Sequence, residues 1–254
     1  MSRRLEGKVG IVTGAGQGVG RGIALAFARE SALVVIAERN EETGIAVAAE
    51  AEAAGTRALY VSCDVTQRSS IDAAVARTVE VFGGIDILVN NAQVSNPAPV
   101  PLMEHDDELI DLCFNSGYRA TLHFMQACYP HLRDRQGRVI NLGSNAGLEG
   151  MSGQAAYGAN KEAIRALSKT AAREWGPDGI NVNILCPFAR SPGVATFLEK
   201  MPKMEKRLVA GQPLGRIGDC ELDIGPVAVF LASNDARFVT GLTLPADGGA
   251  TMIR

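Results

Sequence analysis

Short apolar runs alternate with longer alanine-rich segments along the whole chain of 254 residues. Such alternation is typical of repeated βαβ units and a parallel sheet. Seven candidate strands lie at 8–12, 32–37, 57–62, 86–90, 138–143, 180–185 and 242–246, and candidate helices lie near 20–30, 41–54, 68–82, 106–131, 155–175 and 222–233. Several of the strands are uninterrupted apolar runs, as expected where helices cover both faces. The pattern predicts a doubly wound (Rossmann-type) seven-stranded parallel α/β sheet with helices on both faces.

The composition indicates one domain that spans residues 1–254, because no linker, repeat or low-complexity segment divides the chain. A net charge of -3, with neither sign in blocks, argues against nucleic acid or an anionic membrane as a partner. The apolar runs, such as 32–37, are far shorter than the roughly 20 residues of a membrane helix. The basic start, MSRRLEGKVG, lacks the long apolar stretch of a signal peptide. We expect a soluble, cytoplasmic protein.

Cysteine and histidine spacing gives no sign of a disulfide framework or a metal site. The five cysteines form no C-x-x-C pair, and the three histidines have no metal-ligand spacing. We therefore expect no metal cofactor.

A glycine-rich turn, TGAGQGVG at 13–20, follows the first candidate strand and opens a helix. Ligands of open α/β sheets bind beyond the carboxyl ends of the strands, and a helix N-terminus favours an anion there. The spacing fits T-G-x-x-x-G-x-G and not the stricter G-x-G-x-x-G. The turn predicts a dinucleotide site, with five candidate contacts: Gly14, Gln17, Gly18, Val19 and Gly20.

The second strand ends at Glu38, close to the spacing at which an acidic residue meets the adenosine ribose hydroxyls. A carboxylate there would repel a 2′-phosphate, which favours NAD over NADP. The next residue, Arg39, would instead accommodate that phosphate, so NADP stays possible.

Polar residues also follow the third and fourth strands. Asp64 and Val65 come after the third, where Asp64 would accept a hydrogen bond from the adenine amino group. Asn91 and Ala92 come after the fourth, where Asn91 would pin neighbouring strand ends together. Asp64 and Asn91 fit a structural turn equally well.

Three residues have the arrangement of a proton-transfer site. Tyr157 and Lys161 share one helix face at i and i+4, and Ser144 directly follows the fifth strand. An adjacent ammonium would lower the pKa of the phenol and make it a general acid or base near neutral pH. A Tyr-x-x-x-Lys pattern alone also fits a solvated helix face.

These motifs occur in order with CDV at 63–65, NNAQ at 90–93, Asn115 and ADGG at 246–249. Over nearly its whole length the chain resembles the short-chain dehydrogenase/reductase family. The resemblance implies an oxidoreductase that transfers a hydride between NAD(H) and a secondary alcohol or ketone. In that family pattern Tyr157 is the general acid or base, and Ser144 hydrogen-bonds the substrate oxygen. Lys161 holds the nicotinamide ribose, and Asn115 anchors a water in the proton relay.

Two residues depart from the family pattern beside the nicotinamide end of the cleft. Gln93 replaces the glycine of NNAG, and Phe188 replaces the glycine that normally follows Pro187, itself a cofactor candidate. We expect Gln93 and Phe188, with Ser144, to line the substrate pocket and change substrate choice. The family threonine is also missing, so Ser191 or Thr196 would have to contact the carboxamide.

The segment 188–211, named the lid segment below, mixes apolar and charged residues. In the family this region covers the substrate. Phe197, Leu198, Met201 and Met204 would form an apolar lid over a moderately hydrophobic substrate. An amphipathic surface helix that merely packs on the domain is the alternative.

Two other functions fit the sequence. One is an NADP(H)-dependent enzyme resembling the 3-oxoacyl-thioester reductases, against which Glu38 argues. The other is a non-catalytic dinucleotide-responsive regulator or scaffold, which would have no need of the four catalytic side chains. The resemblance further suggests a homotetramer or homodimer built on helix faces near 106–131 and 155–175.

Overall fold

A single seven-stranded sheet runs through the computed structural model, which describes residues 3–94 and 99–252. All neighbouring strands are parallel, in the order β3-β2-β1-β4-β5-β6-β7. The strands are β1 (Val9–Thr13), β2 (Leu33–Glu38), β3 (Ala58–Ser62), β4 (Ile87–Asn90), β5 (Arg138–Leu142), β6 (Asn181–Pro187) and β7 (Thr243–Ala246). Because the winding direction reverses between β1 and β4, a crevice opens beyond their carboxyl ends. The predicted doubly wound sheet is confirmed.

Helices connect the strands and cover both faces of the sheet. They are α1 (Gly18–Arg29), α2 (Glu41–Ala53), α3 (Arg68–Phe82), α4 (Asp107–Phe114), α5 (Ala120–Arg135), α6 (Asn145–Leu148), α7 (Ala155–Glu174), α8 (Pro192–Lys200), α9 (Pro202–Ala210) and α10 (Gly225–Ala232). Side-chain caps fix where several begin. The Asp106 carboxylate accepts from Leu109 N at 2.8 Å at the start of α4, satisfying an amide that the helix leaves free.

Strands β1 to β6 contribute alternate side chains to two hydrophobic cores, one on each face of the sheet. Val12 packs with Phe27 in the core under α1 and α10. Its neighbour Ile11 packs with Phe124 in the core under α3, α5 and α7. Burying each such side chain stabilises the fold by about 1.5–3 kcal/mol. Cover on both faces explains why these strands are continuous apolar runs.

Two predicted helices are divided in the structure. The helix predicted at 106–131 is interrupted by a π-helical turn, Asn115–Arg119, and then continues to Arg135. The helix predicted at 222–233 is preceded by a second π-helical turn, Cys220–Ile224. One extra residue in a turn hardly disturbs the apolar period, so the sequence pattern cannot locate it.

No helix within 3–94 or 99–252 combines the length and apolar character needed to cross a membrane.

Candidate active site

The glycine-rich turn packs tightly between the ends of β1 and β4. Gly14 has a left-handed φ of +61°, and a side chain there would begin 2.8 Å from Ala92 Cα. A side chain at Gly20 would begin 2.4 Å from the Gly14 carbonyl oxygen. Gln17 starts α1 in an extended conformation, and its side chain does not cap the helix. No Gln17 cap therefore occupies the first-turn amides of α1, the groups that a pyrophosphate site uses.

Asn91 joins the two strand ends beneath this turn. Its Nδ2 donates to the carbonyl oxygens of Thr13 at 2.8 Å and Gly14 at 3.0 Å. The amide of Ala92 donates to Thr13 Oγ1 at 2.9 Å. The structural role considered for Asn91 is confirmed, and it sets the shape of the crevice floor.

The Glu38 carboxylate lies beside the glycine-rich turn at the end of β2. It accepts hydrogen bonds from three backbone amides, those of Gly16 at 3.1 Å, Arg39 at 2.9 Å and Asn40 at 3.0 Å. The glycine-rich turn is thus attached to an acidic group at the position expected for the adenosine ribose.

Asp64 and Val65 follow β3 at the same edge of the sheet. The Asp64 carboxylate accepts from the Thr66 amide at 3.0 Å and from Thr66 Oγ1 at 2.8 Å. The backbone hydrogen bond from Thr66 holds the pKa of Asp64 below its usual range. Val65 is half-buried and packs against the core under α3 and α5.

Ser144, Tyr157 and Lys161 come together at the carboxyl end of β5. Ser144 begins α6, where its Oγ accepts from the Ala146 amide at 3.1 Å. Tyr157 lies in the first turn of α7, and Lys161 Nζ lies 5.6 Å from the centroid of its ring. Lys161 is only 4% exposed and donates to the Leu142 carbonyl oxygen at 2.8 Å. A hydroxyl, a phenol and an ammonium therefore share one small site.

Burial controls the electrostatics of this site. It raises the pKa of Tyr157 above its ordinary value, and a hydrogen bond with Ser144 partly opposes that rise. It lowers the pKa of Lys161 to about 8. The lowering of the Tyr157 pKa expected from Lys161 is therefore opposed by the burial of the phenol.

Asn115 begins the π-helical turn, and its side chain has Arg119 as its hydrogen-bond partner within the described residues. Its Oδ1 accepts from Arg119 Nη1 at 2.6 Å on the exposed side of the π-helical turn. The turn instead directs Ser116 and Gly117 into the protein, where both are buried. The role expected for Asn115, anchoring a water in the proton relay, stays a prediction.

Gln93 is half-buried, and its side-chain amide is hydrogen-bonded within the protein. Its Nε2 donates to the carbonyl oxygens of Val94 at 3.0 Å and Cys113 at 3.1 Å. Its Oε1 accepts from Asn160 Nδ2 at 2.8 Å. Asn160 was not a sequence candidate, although an amide next to Lys161 on the catalytic helix was a signal that could have identified it.

Pro187 and Phe188 lie at the end of β6, on the same edge of the sheet. Pro187 pairs with Ala246 of β7, and the Phe188 amide donates to the Ala246 carbonyl oxygen at 3.0 Å. The Phe188 side chain is half-buried. Its position beyond the strand end agrees with the expected pocket location.

The lid segment forms α8 and α9. Ser191 caps α8 by accepting from Val194 N at 3.3 Å, and a side chain at Gly18 would begin 3.3 Å from Pro192 Cδ. The segment therefore starts against the glycine-rich turn. Of the four expected lid side chains, Leu198 is buried within the protein and Met201 is 47% exposed, while Phe197 and Met204 are half-buried.

Comparison with known proteins places this geometry in a family. The model of a family described as enoyl-(acyl carrier protein) reductase matches residues 14–251. A 12α-hydroxysteroid dehydrogenase of a Clostridium species is 43% identical over 96% of both chains. A 2,5-dichloro-2,5-cyclohexadiene-1,4-diol dehydrogenase of Sphingobium indicum is 37% identical over 98% of both.

A solved structure gives the same result. The 3-ketoacyl-(acyl-carrier-protein) reductase from Brucella melitensis, complexed with NADH, superposes with a TM-score of 0.90 at 32% identity. The match covers 98% of this chain and 100% of that one. The chain belongs to the short-chain dehydrogenase/reductase family and is an oxidoreductase that acts on CH–OH groups.

Proposed function

We propose that this protein transfers a hydride between NAD(H) and a secondary alcohol or ketone, with Tyr157 as the general acid or base. The observation that carries the proposal is the meeting of Ser144, Tyr157 and Lys161 at the strand edge that also holds the glycine-rich turn. A phenol and an ammonium in one protected site allow proton transfer without bulk water.

The residues of the crevice fit a dinucleotide. The start of α1, where the Gln17 side chain does not cap the helix, would bind the pyrophosphate, and Glu38, which accepts from the Gly16 amide, would meet the ribose. The contacts proposed for the cofactor are those named from the sequence: Gly14, Gln17, Gly18, Val19, Gly20, Glu38, Asp64, Val65, Asn91, Ala92, Tyr157, Lys161 and Pro187. When bound, NAD supplies the acceptor or donor of the hydride.

The side chains perform the accompanying proton transfer. In oxidation the Tyr157 oxygen takes the proton of the alcohol, and in reduction it returns that proton to the carbonyl oxygen. Ser144 donates a hydrogen bond to the same substrate oxygen, which stabilises charge that develops there. Lys161 holds the nicotinamide ribose, and its charge favours the phenolate.

A bound, oxidised cofactor would lower the pKa of Tyr157, which is raised in the free protein. Burial raises that pKa, and Lys161 alone does not offset it. A positive charge on the oxidised nicotinamide favours the phenolate, because opposite charges at short range stabilise the ionised form. Bound NAD⁺ would therefore make Tyr157 a stronger candidate for the general base than it is in the free protein.

Glu38 supports NAD as the cofactor over NADP. Its carboxylate is held by three backbone amides and cannot easily turn away from an incoming 2′-phosphate. Arg39 is the residue that would favour NADP. Binding of NADH and NADPH to the same preparation, followed by fluorescence titration, separates the two. Tighter binding of NADPH would contradict this part of the proposal.

Ring-borne secondary alcohols are the proposed substrate class. The names of two relatives, a 12α-hydroxysteroid dehydrogenase and a cyclohexadiene-diol dehydrogenase, each specify a hydroxyl group on a ring. Phe188 beyond β6 and the partly apolar lid segment 188–211 are compatible with a moderately hydrophobic ring. A screen of cyclic and acyclic alcohols and ketones, monitored by NADH absorbance, tests this. Activity confined to open-chain substrates would contradict it.

A 3-oxoacyl-thioester reductase is the second candidate, and the likeness to the Brucella reductase favours it. Reduction of a short 3-oxoacyl thioester with NADPH, at a higher kcat/KM than any cyclic ketone with NADH, would establish this alternative. A non-catalytic regulator is disfavoured because the three catalytic side chains are present and assembled.

The oligomeric state and the cellular location are also proposed here, from exposed apolar residues and from the cysteines. We propose a homotetramer or homodimer built on α4, α5 and α7, since Ile110 and Leu112 of α4 remain 39% and 41% exposed. Light scattering after gel filtration tests it, and a monomer would refute it. A cytoplasmic location is supported by the five cysteines, all of which are free thiols.

A further inference from the structure

Asn160 is a fully buried amide in the catalytic helix. It is 0% exposed, three residues after Tyr157 and one before Lys161. A buried amide costs free energy unless each of its polar groups is paired. The proton-transfer mechanism makes no use of this side chain.

Both ends of the Asn160 amide are paired, each with a different part of the fold. The Oδ1 accepts from the Tyr118 backbone amide at 2.8 Å, and the Nδ2 donates to Gln93 Oε1 at 2.8 Å. Gln93 in turn donates to the Cys113 carbonyl oxygen at 3.1 Å. The two amides therefore connect α7 to the π-helical turn, to α4 and to the segment after β4.

Gly117 provides the space for these amides. A side chain there would begin 2.3 Å from Asn160 Nδ2 and 2.4 Å from Gln93 Oε1, closer than atoms in contact approach. Gly117 does not have a positive φ, so its backbone conformation does not require glycine. Glycine is required at this position because the two amides occupy the space that a side chain would need.

We propose that Asn160 and Gln93 are positioning residues that hold Tyr157 and Lys161 in place. Lys161 Nζ has one recorded protein partner among the described residues, the Leu142 carbonyl oxygen. The direction of its ammonium therefore depends on the rotation of α7, which the Asn160 contacts fix. This inference rests on the proposed function.

The test compares Asn160→Ala and Gln93→Ala with the wild type in alcohol oxidation at saturating NAD⁺. We expect kcat to fall about tenfold or more with KM within about twofold, since a misplacement of about 1 Å can cost up to 10²-fold. The apparent pKa of the rate should rise by about one pH unit, because a displaced ammonium stabilises the phenolate less. The double variant should lose no more than the more affected single variant, because the two side chains act as one unit.

Two further variants separate positioning from general stability. Asn183→Ala removes another buried amide, which donates to the Val239 carbonyl oxygen at 2.8 Å and accepts from Leu242 N at 3.1 Å. It should lower the melting temperature without moving the pH profile. Gly117→Ala should reproduce the Asn160→Ala profile with Asn160 intact.

The outcomes are distinguishable. The inference is overturned if folded Asn160→Ala has the kcat and the pH profile of the wild type. It is also overturned if Asn115→Ala shifts the pH profile of the rate while Asn160→Ala does not. If Asn160→Ala does not fold, Gln93→Ala decides by the same criteria. If the wild type oxidises no alcohol, or is unaffected by Tyr157→Phe, the proposed function fails instead.

Discussion

Replacing Lys161 by methionine should stabilise the cofactor-free protein while it removes activity. Lys161 is almost completely buried, and its ammonium donates to the Leu142 carbonyl oxygen at 2.8 Å. Burial lowers its pKa from 10.5 to about 8. Each pKa unit corresponds to about 1.4 kcal/mol, so the charged lysine costs the folded protein roughly 3 kcal/mol at pH 7.

Methionine has a similar length and no charge, but it leaves the Leu142 carbonyl without a donor, which costs about 1 kcal/mol. The net expectation is a gain of about 2 kcal/mol. For a protein of this size that gain corresponds to a rise in melting temperature of about 4–8 °C. The function of Lys161 thus opposes the stability of the fold.

The sign of the pH dependence gives a second readout. The folded pKa is lower than the unfolded one, so the unfolded chain binds more protons between about pH 8 and 10.5. Wild-type stability should therefore rise relative to the variant across that window, and the advantage of Lys161→Met should shrink.

The assay is thermal unfolding of both cofactor-free proteins at pH 7 and pH 10. Lys169→Met serves as the control, because Lys169 is an exposed lysine on the same helix and its replacement should change little. A Lys161→Met protein that is less stable than wild type at pH 7 would refute the reasoning. So would an advantage that is equal at both pH values.

Two further predictions concern specificity. Glu38→Ala should weaken NADH binding about tenfold, because the charge-assisted contacts of the carboxylate are lost. It should also reduce the preference for NADH over NADPH, as measured by fluorescence titration of both cofactors. An unchanged ratio of the NADH and NADPH dissociation constants would contradict the role of Glu38. Phe188→Gly should change the relative kcat/KM values among cyclic substrates by about 10-fold or more, while hydride transfer itself persists. The alcohol screen measures both. An unaltered substrate profile would count against a pocket role for Phe188.

The sequence was sufficient for the fold because the features that determine it are local. Continuous apolar strands, such as 32–37, and the alternation with helical segments required a sheet covered on both faces. The glycine-rich turn is also predictable from the sequence, because positions 14 and 20 have no room for a side chain and so require glycine. Strand positions agreed to within one or two residues.

The sequence predicts only part of the candidate site, because the other part depends on contacts between residues that are distant in sequence. Asn160 pairs with Gln93, 67 residues away, and Gly117 fits both only because the π-helical turn brings it inward. Spacing reveals Lys161 beside Tyr157 but not the burial of both groups, which raises the pKa of Tyr157 and lowers the pKa of Lys161.

The most direct test of the central claim is Tyr157→Phe. The change removes the phenolic oxygen and keeps the ring, so NADH affinity should stay within about twofold while kcat for alcohol oxidation falls at least about a hundredfold, as for a lost general base. A variant that binds NADH normally and oxidises the alcohol at a rate near that of the wild type would contradict the assignment of Tyr157 as the proton-transfer residue.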